Sequence, residues 1–186
     1  MAFAFGINDS GEAVGVSGLC SNVSLPPNGP PDGPHATFWE KSGEPVSIGT
    51  LPDGVGTMPT AINNRGDVAG NVHLSDGSIH PFLWNRQTGK MQDLGVAAGD
   101  FVTIVPCCGT LNNRGDIVAF SCGSNGCRAV VRQNDAWVDL NTLVVPGTTM
   151  YLANASSIND AVEIAGFGIT VTGEVHAFLA SPSPRQ

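Results

Sequence analysis

Short apolar stretches alternate with turn-forming residues along this chain, and they do so with a long-range period. The first such stretch leads into Gly6-Ile7-Asn8-Asp9-Ser10-Gly11-Glu12-Ala13-Val14-Gly15. The pattern returns as Ala61-Ile62-Asn63-Asn64-Arg65-Gly66-Asp67-Val68-Ala69-Gly70 and as Thr110-Leu111-Asn112-Asn113-Arg114-Gly115-Asp116-Ile117-Val118-Ala119. Its last copy is Ser157-Ile158-Asn159-Asp160-Ala161-Val162-Glu163-Ile164-Ala165-Gly166. An apolar residue, Asn-x-x-Gly, an acidic residue and a second apolar pair together predict two strands joined by a tight hairpin. The Asn side chain bonds back to the turn, and Gly takes the positive φ that closes it.

A second element follows each hairpin: His35-Ala36-Thr37-Phe38-Trp39, His80-Pro81-Phe82-Leu83-Trp84, Arg128-Ala129-Val130-Val131-Arg132 and His176-Ala177-Phe178-Leu179-Ala180. Alternation with large aromatics on one face predicts a half-buried third strand. A third element appears as Val46-Ser47-Ile48-Gly49, Gln92-Asp93-Leu94-Gly95 and Val138-Asp139-Leu140-Asn141, with no fourth copy after residue 180. Each unit is therefore about four short strands, and the repeat Asn residues at 8, 63, 112 and 159 lie 55, 49 and 47 residues apart. Repeats of this length and composition predict an all-β fold, a β-propeller with one sheet per repeat. The expected boundaries within a single repeat domain are 1–51, 52–96, 97–141 and 142–186. Two closures follow: one chain forms a four-bladed ring by itself, or two open chains complete a ring as a homodimer.

Two departures stand out. Val162 occupies the place of Gly11, Gly66 and Gly115, so the fourth hairpin is expected to use a different turn. The third unit replaces its His and Trp with Arg128 and Arg132, leaving Trp137 to fill part of the missing volume.

The three elements in order resemble the bacterial HAF-type extracellular repeats, and the resemblance spans nearly the whole chain. It implies a propeller-like fold and a secreted or cell-surface setting, and carries no catalytic residues with it. No signal peptide is expected in the given sequence, where Met1 runs directly into the first repeat; either the protein is cytosolic as produced or the true start has been lost.

Composition narrows the function classes. A net charge of −8 repels phosphate backbones, which argues against a nucleic-acid partner. No apolar run approaches a membrane span. Among five cysteines, Cys122 and Cys127 flank Gly-Ser-Asn-Gly, a spacing that suits a disulfide across a short loop; reduced, partly buried thiols are the alternative.

If the strands run from centre to rim, the Asn-x-x-Gly hairpins share one face. The variable connections share the other: Ser17 to Pro34, Pro52 to Thr57, Val72 to Ser78, Ala97 to Cys108, Ser121 to Cys127 and Val145 to Asn154. Loops on a rigid scaffold carry function, so the variable acidic face is the expected site for a small-molecule, glycan or protein ligand. It carries Asp32, Asp53, Asp76, Asp100 and the one non-repeated histidine, His73. Convergent carboxylates suit Ca²⁺, which could polarise an ester or lactone carbonyl while His73 or a carboxylate activates water. A calcium-dependent ester or lactone hydrolase is thus the alternative to a binding protein. Ordinary turn aspartates beside Gly33, Gly54 and Gly77 are the simpler reading of three of these carboxylates.

Overall fold

The computed structural model describes residues 2–18 and 35–183. It is an all-β, four-blade β-propeller built from antiparallel meanders. Blade 1 comprises β1 (Ala2–Ile7), β2 (Ala13–Ser17), β3 (His35–Trp39) and β4 (Pro45–Ser47). Blade 2 comprises β5 (Gly54–Ile62), β6 (Val68–Leu74), β7 (Ile79–Asn85) and β8 (Lys90–Asp93). Blade 3 follows with β9 (Val102–Ile104), β10 (Ile117–Gly123), β11 (Gly126–Gln133) and β12 (Ala136–Asp139). Blade 4 has, among the described residues, β13 (Met150–Ile158), β14 (Ile164–Thr170) and β15 (Val175–Ala180), three strands where the others have four.

The period-two pattern sorts side chains between neighbouring blades. Val14, Phe38 and Ile48 of blade 1 meet Val68, Val72, Phe82 and Trp84 of blade 2 in one apolar cluster. Ala69 and Leu94 of blade 2 meet Leu111, Ile117 and Val130 of blade 3 in a second. Val118, Val131 and Leu140 of blade 3 meet Leu152, Ile158 and Ile164 of blade 4 in a third. The core is a series of inter-blade layers, and each blade contributes one face to each neighbour.

The Asn-x-x-Gly hairpins explain their own sequence. Asn63 Oδ1 accepts the backbone N–H groups of Arg65 and Asp67, at 3.0 and 2.9 Å, while the Asn63 N–H donates to the Asp67 carbonyl. Its amide nitrogen reaches the Asp67 carboxylate and the carbonyl of Asn112 in the next blade, at 3.4 and 3.0 Å. Asn8 and Asn112 repeat the pattern, donating to the carbonyls of Asn63 and Asn159. One side chain thus closes its own turn and bolts that turn to the next blade.

The residue after each Asn makes a parallel link. The Asp9 N–H donates to Asn64 Oδ1, that of Asn64 to Asn113 Oδ1, and that of Asn113 to Asp160 Oδ1. The Asn113 backbone and side-chain amide together hold the Asp160 carboxyl below the usual carboxylate range.

The fourth hairpin corrects an expectation. Val162 adopts the same turn as the glycines, with φ +62° and its N–H bonded to the Asn159 carbonyl at 3.0 Å. The Asn159 bonds to Ala161 and Glu163 hold this geometry although a β-branched residue disfavours it. Replacing Val162 with Gly relieves about 1–2 kcal/mol of left-handed strain. Greater unfolded-chain entropy and lost apolar contact offset most of that, leaving a net gain of about 0.5 kcal/mol. Chemical denaturation of the two proteins checks this; a destabilised Val162→Gly variant would mean that packing at the third cluster outweighs the strain.

Candidate functional site

Three of the four carboxylates grouped by the sequence lie among the described residues. Asp32 lies outside the described residues. Asp53 sits in an exposed turn with φ +60°, its carbonyl accepting the Ser75 N–H at 2.9 Å. Asp76, in the β6–β7 turn, accepts the hydroxyl and N–H of Ser78; these bonds hold its carboxyl below the usual range. Asp100 belongs to blade 3, where its nearly buried carboxylate pairs with Arg128 at 2.9 Å. Among the described residues, no three His, Cys, Asp or Glu side chains converge on a common point.

His73 lies within β6, paired across to Gly56 and Ile79, and not in a loop as expected. Burial lowers its imidazole below the ordinary histidine range, so near pH 7 it is neutral. The β6–β7, β10–β11 and β14–β15 connections are tight hairpins, which leaves little loop to vary between these strands.

The repeated histidine position has a structural role that survives its substitution. His80 Nδ1 sits 2.9 Å from Asp93 on the neighbouring strand β8. In blade 3 the same pair of positions holds Arg128 and Asp139, 3.7 Å apart, and the longer guanidinium also reaches Asp100 and the Ala98 carbonyl. The His-to-Arg change therefore adds a link to the blade 2–blade 3 connection. Arg132 stands opposite Trp137 across β11–β12, and Trp137 packs on the second cluster while its Nε1 donates to the Leu94 and Gly95 carbonyls. Cys122 and Cys127 face one another across β10–β11 and are joined by a disulfide. Cys107 and Cys108 are exposed thiols, and a hydrogen bond between them raises the Cys108 thiol above its ordinary range.

One concavity among the described residues is apolar. A cleft of about 860 Å³ lies between blades 3 and 4, lined by Val131, Leu140, Leu143, Val145 and Phe178 among others. Its origin can be read from the other junctions. In blade 2 the outermost strand β8 sends Met91 into the blade 1–2 cluster. In blade 3 the outermost strand β12 sends Trp137 into the blade 2–3 cluster. Among the described residues blade 4 has no strand beyond β15, so the corresponding space at the blade 3–4 junction stays open and the outer edge of β15 pairs with no strand.

The missing fourth copy of the Asp-Leu-Gly element was the sequence signal for this cleft. Leu143 and Val145 gave no such signal, because they belong to no repeated element. No family model matches the chain, and no curated protein matches it.

Proposed function

We propose that this chain is an exported binding propeller whose ligand is an extended polypeptide segment, accepted as a fourth strand along β15 with an apolar side chain in the blade 3–4 cleft. The carrying observation is the cleft itself: it lies where Met91 and Trp137 of outermost strands fill the other two junctions. A sheet edge supplies backbone hydrogen bonds to an added strand, and a flanking pocket supplies specificity. The Cys122–Cys127 disulfide and the resemblance to HAF-type repeats support an oxidising, extracellular setting. The engagement of Asp76 by Ser78 and of Asp100 by Arg128 favours binding over a calcium-assisted hydrolase.

A capped peptide with the chain's own fourth-strand sequence, Ala-Trp-Val-Asp-Leu-Asn, is a direct probe. Calorimetric titration should show saturable binding of this peptide and none of a scrambled version. Leu143→Glu and Val145→Glu, both at exposed positions, should weaken it about tenfold or more. Equal binding of the scrambled peptide, or no binding of either, overturns the reading. Turnover of an ester or lactone panel that disappears with EDTA would replace it with the hydrolase.

A further inference from the structure

Blade 4 presents a face built to meet a following blade, and blade 1 presents a face built to meet a preceding one. The residue before each repeat Asn shows this for the preceding side. Ile62, Leu111 and Ile158 each pack into the cluster shared with the previous blade, whereas Ile7 is 72% exposed. The third strand shows it for the following side. Phe38, Leu83 and Val131 enter the cluster shared with the next blade, whereas their counterpart Leu179 is 69% exposed. Phe167, on the same face of blade 4, is 43% exposed where its counterpart Val16 is buried.

The polar groups at the two ends are complementary. Asn8, Asn63 and Asn112 are buried and each donates to the next repeat Asn carbonyl, while Asn159 is exposed and, among the described residues, its amide nitrogen donates only to Glu163 of its own turn. The acceptor that would extend this series is the Asn8 carbonyl. At the blade 1–2 junction Arg86 bridges Glu12 and Glu40 of the preceding blade, at 4.0 and 2.6 Å. Lys41 holds the Arg86 position in blade 1, and Glu163 holds the Glu12 position in blade 4.

We infer that blade 4 of one chain docks on blade 1 of a second copy in the manner of the internal junctions, so that two chains close head to tail into an eight-bladed ring. Two such contacts related by a twofold axis close the assembly, and eight blades fall within the range that propellers adopt. One feature opposes the contact: Asp160 would face Asp9, where the internal junctions pair Asn64 with Asp9 or Asn113 with Asp160. Closure is independent of strand addition at the outer rim of β15.

Light scattering of the full chain after size-exclusion chromatography, with the disulfide intact, should give twice its 19.1 kDa. A mass of one chain at all concentrations, or growth without limit, overturns the ring. Ile7→Glu and Leu179→Glu alter side chains that are exposed in the single chain, so circular dichroism should show both folded. Each should weaken dimerisation on the order of 100-fold. Mixing the two variants should restore a dimer, because one of its two junctions then joins an unaltered blade 4 to an unaltered blade 1. Folded variants that stay monomeric when mixed would overturn the head-to-tail arrangement. Asp9→Asn should tighten the dimer by removing the like-charge pair, and a looser dimer would count against it.

Discussion

An Asn63→Ala variant is expected to lose about 3–4 kcal/mol of stability, among the largest effects of any single polar substitution in this chain. The Asn63 side chain is buried and makes four hydrogen bonds: two from backbone N–H groups of its own turn, one to Asp67 and one to the carbonyl of Asn112. Each bond contributes about 1 kcal/mol net, and the partners left behind include a buried N–H and a buried carbonyl that water reaches poorly. Asp67 adds to the effect, because its nearly buried carboxylate keeps Arg65 at 2.9 Å but loses the Asn63 amide. Denaturant titration, with circular dichroism to establish the folded baseline, measures the loss. A change under about 1 kcal/mol would mean that water replaces the side chain at the turn and that the Asn series does not hold the blades together.

Gly70→Ala is expected to cost about 3 kcal/mol, because overpacking is here directed at backbone. A methyl group at Gly70 would overlap the Met58 carbonyl oxygen and lie 2.7 Å from the Pro59 Cα and 2.8 Å from the Phe82 ring. The cause is a bulge in the innermost strand between Pro59 and Ala61, which brings the chain across Gly70. The same bulge recurs between Ala4 and Gly6 and between Ala155 and Ser157, opposite Gly15 and Gly166. Blade 3 carries Ala119 at this position. There β9 ends at Ile104, before it would pass over residue 119, and the cross-strand partner is Val130 where blade 2 has Phe82. Ala119→Gly should accordingly cost only about 0.5–1 kcal/mol, the ordinary effect of glycine within a strand. Thermal or chemical unfolding of both variants tests the pair; equal losses would show that the bulge does not set the constraint.

The four units, their strand order and the turn that joins the first two strands of each blade were legible in the sequence, because the code for them is local. An Asn whose side chain reaches the N–H groups two and four residues on, and a glycine at positive φ, specify a hairpin wherever they occur. Val162 escaped that reading. The surrounding hydrogen bonds impose the glycine conformation on valine, and propensity alone cannot weigh bonds from the rest of the turn against a local strain. The exchange of His80 and Asp93 for Arg128 and Asp139 was visible as a substitution, yet its meaning depended on which side chains stand opposite across β11 and β12.

The candidate site was hardest to read, for the same physical reason. Aspartates beside glycines look alike in sequence whether they converge or not, and only the fold shows that Arg128 pairs with Asp100 and Ser78 holds Asp76. The apolar cleft lies at a junction where, among the described residues, blade 4 has no outermost strand, whereas Met91 and Trp137 fill the counterpart junctions. By itself the sequence determined the repeat, the all-β class and the hairpins, since each rests on contacts within a few residues or on period-two alternation. Only the tertiary structure decided which equivalent positions are covered. Ile7 and Leu179 have the same chemistry as Ile62 and Val131, and their exposure depends on whether another blade lies against them.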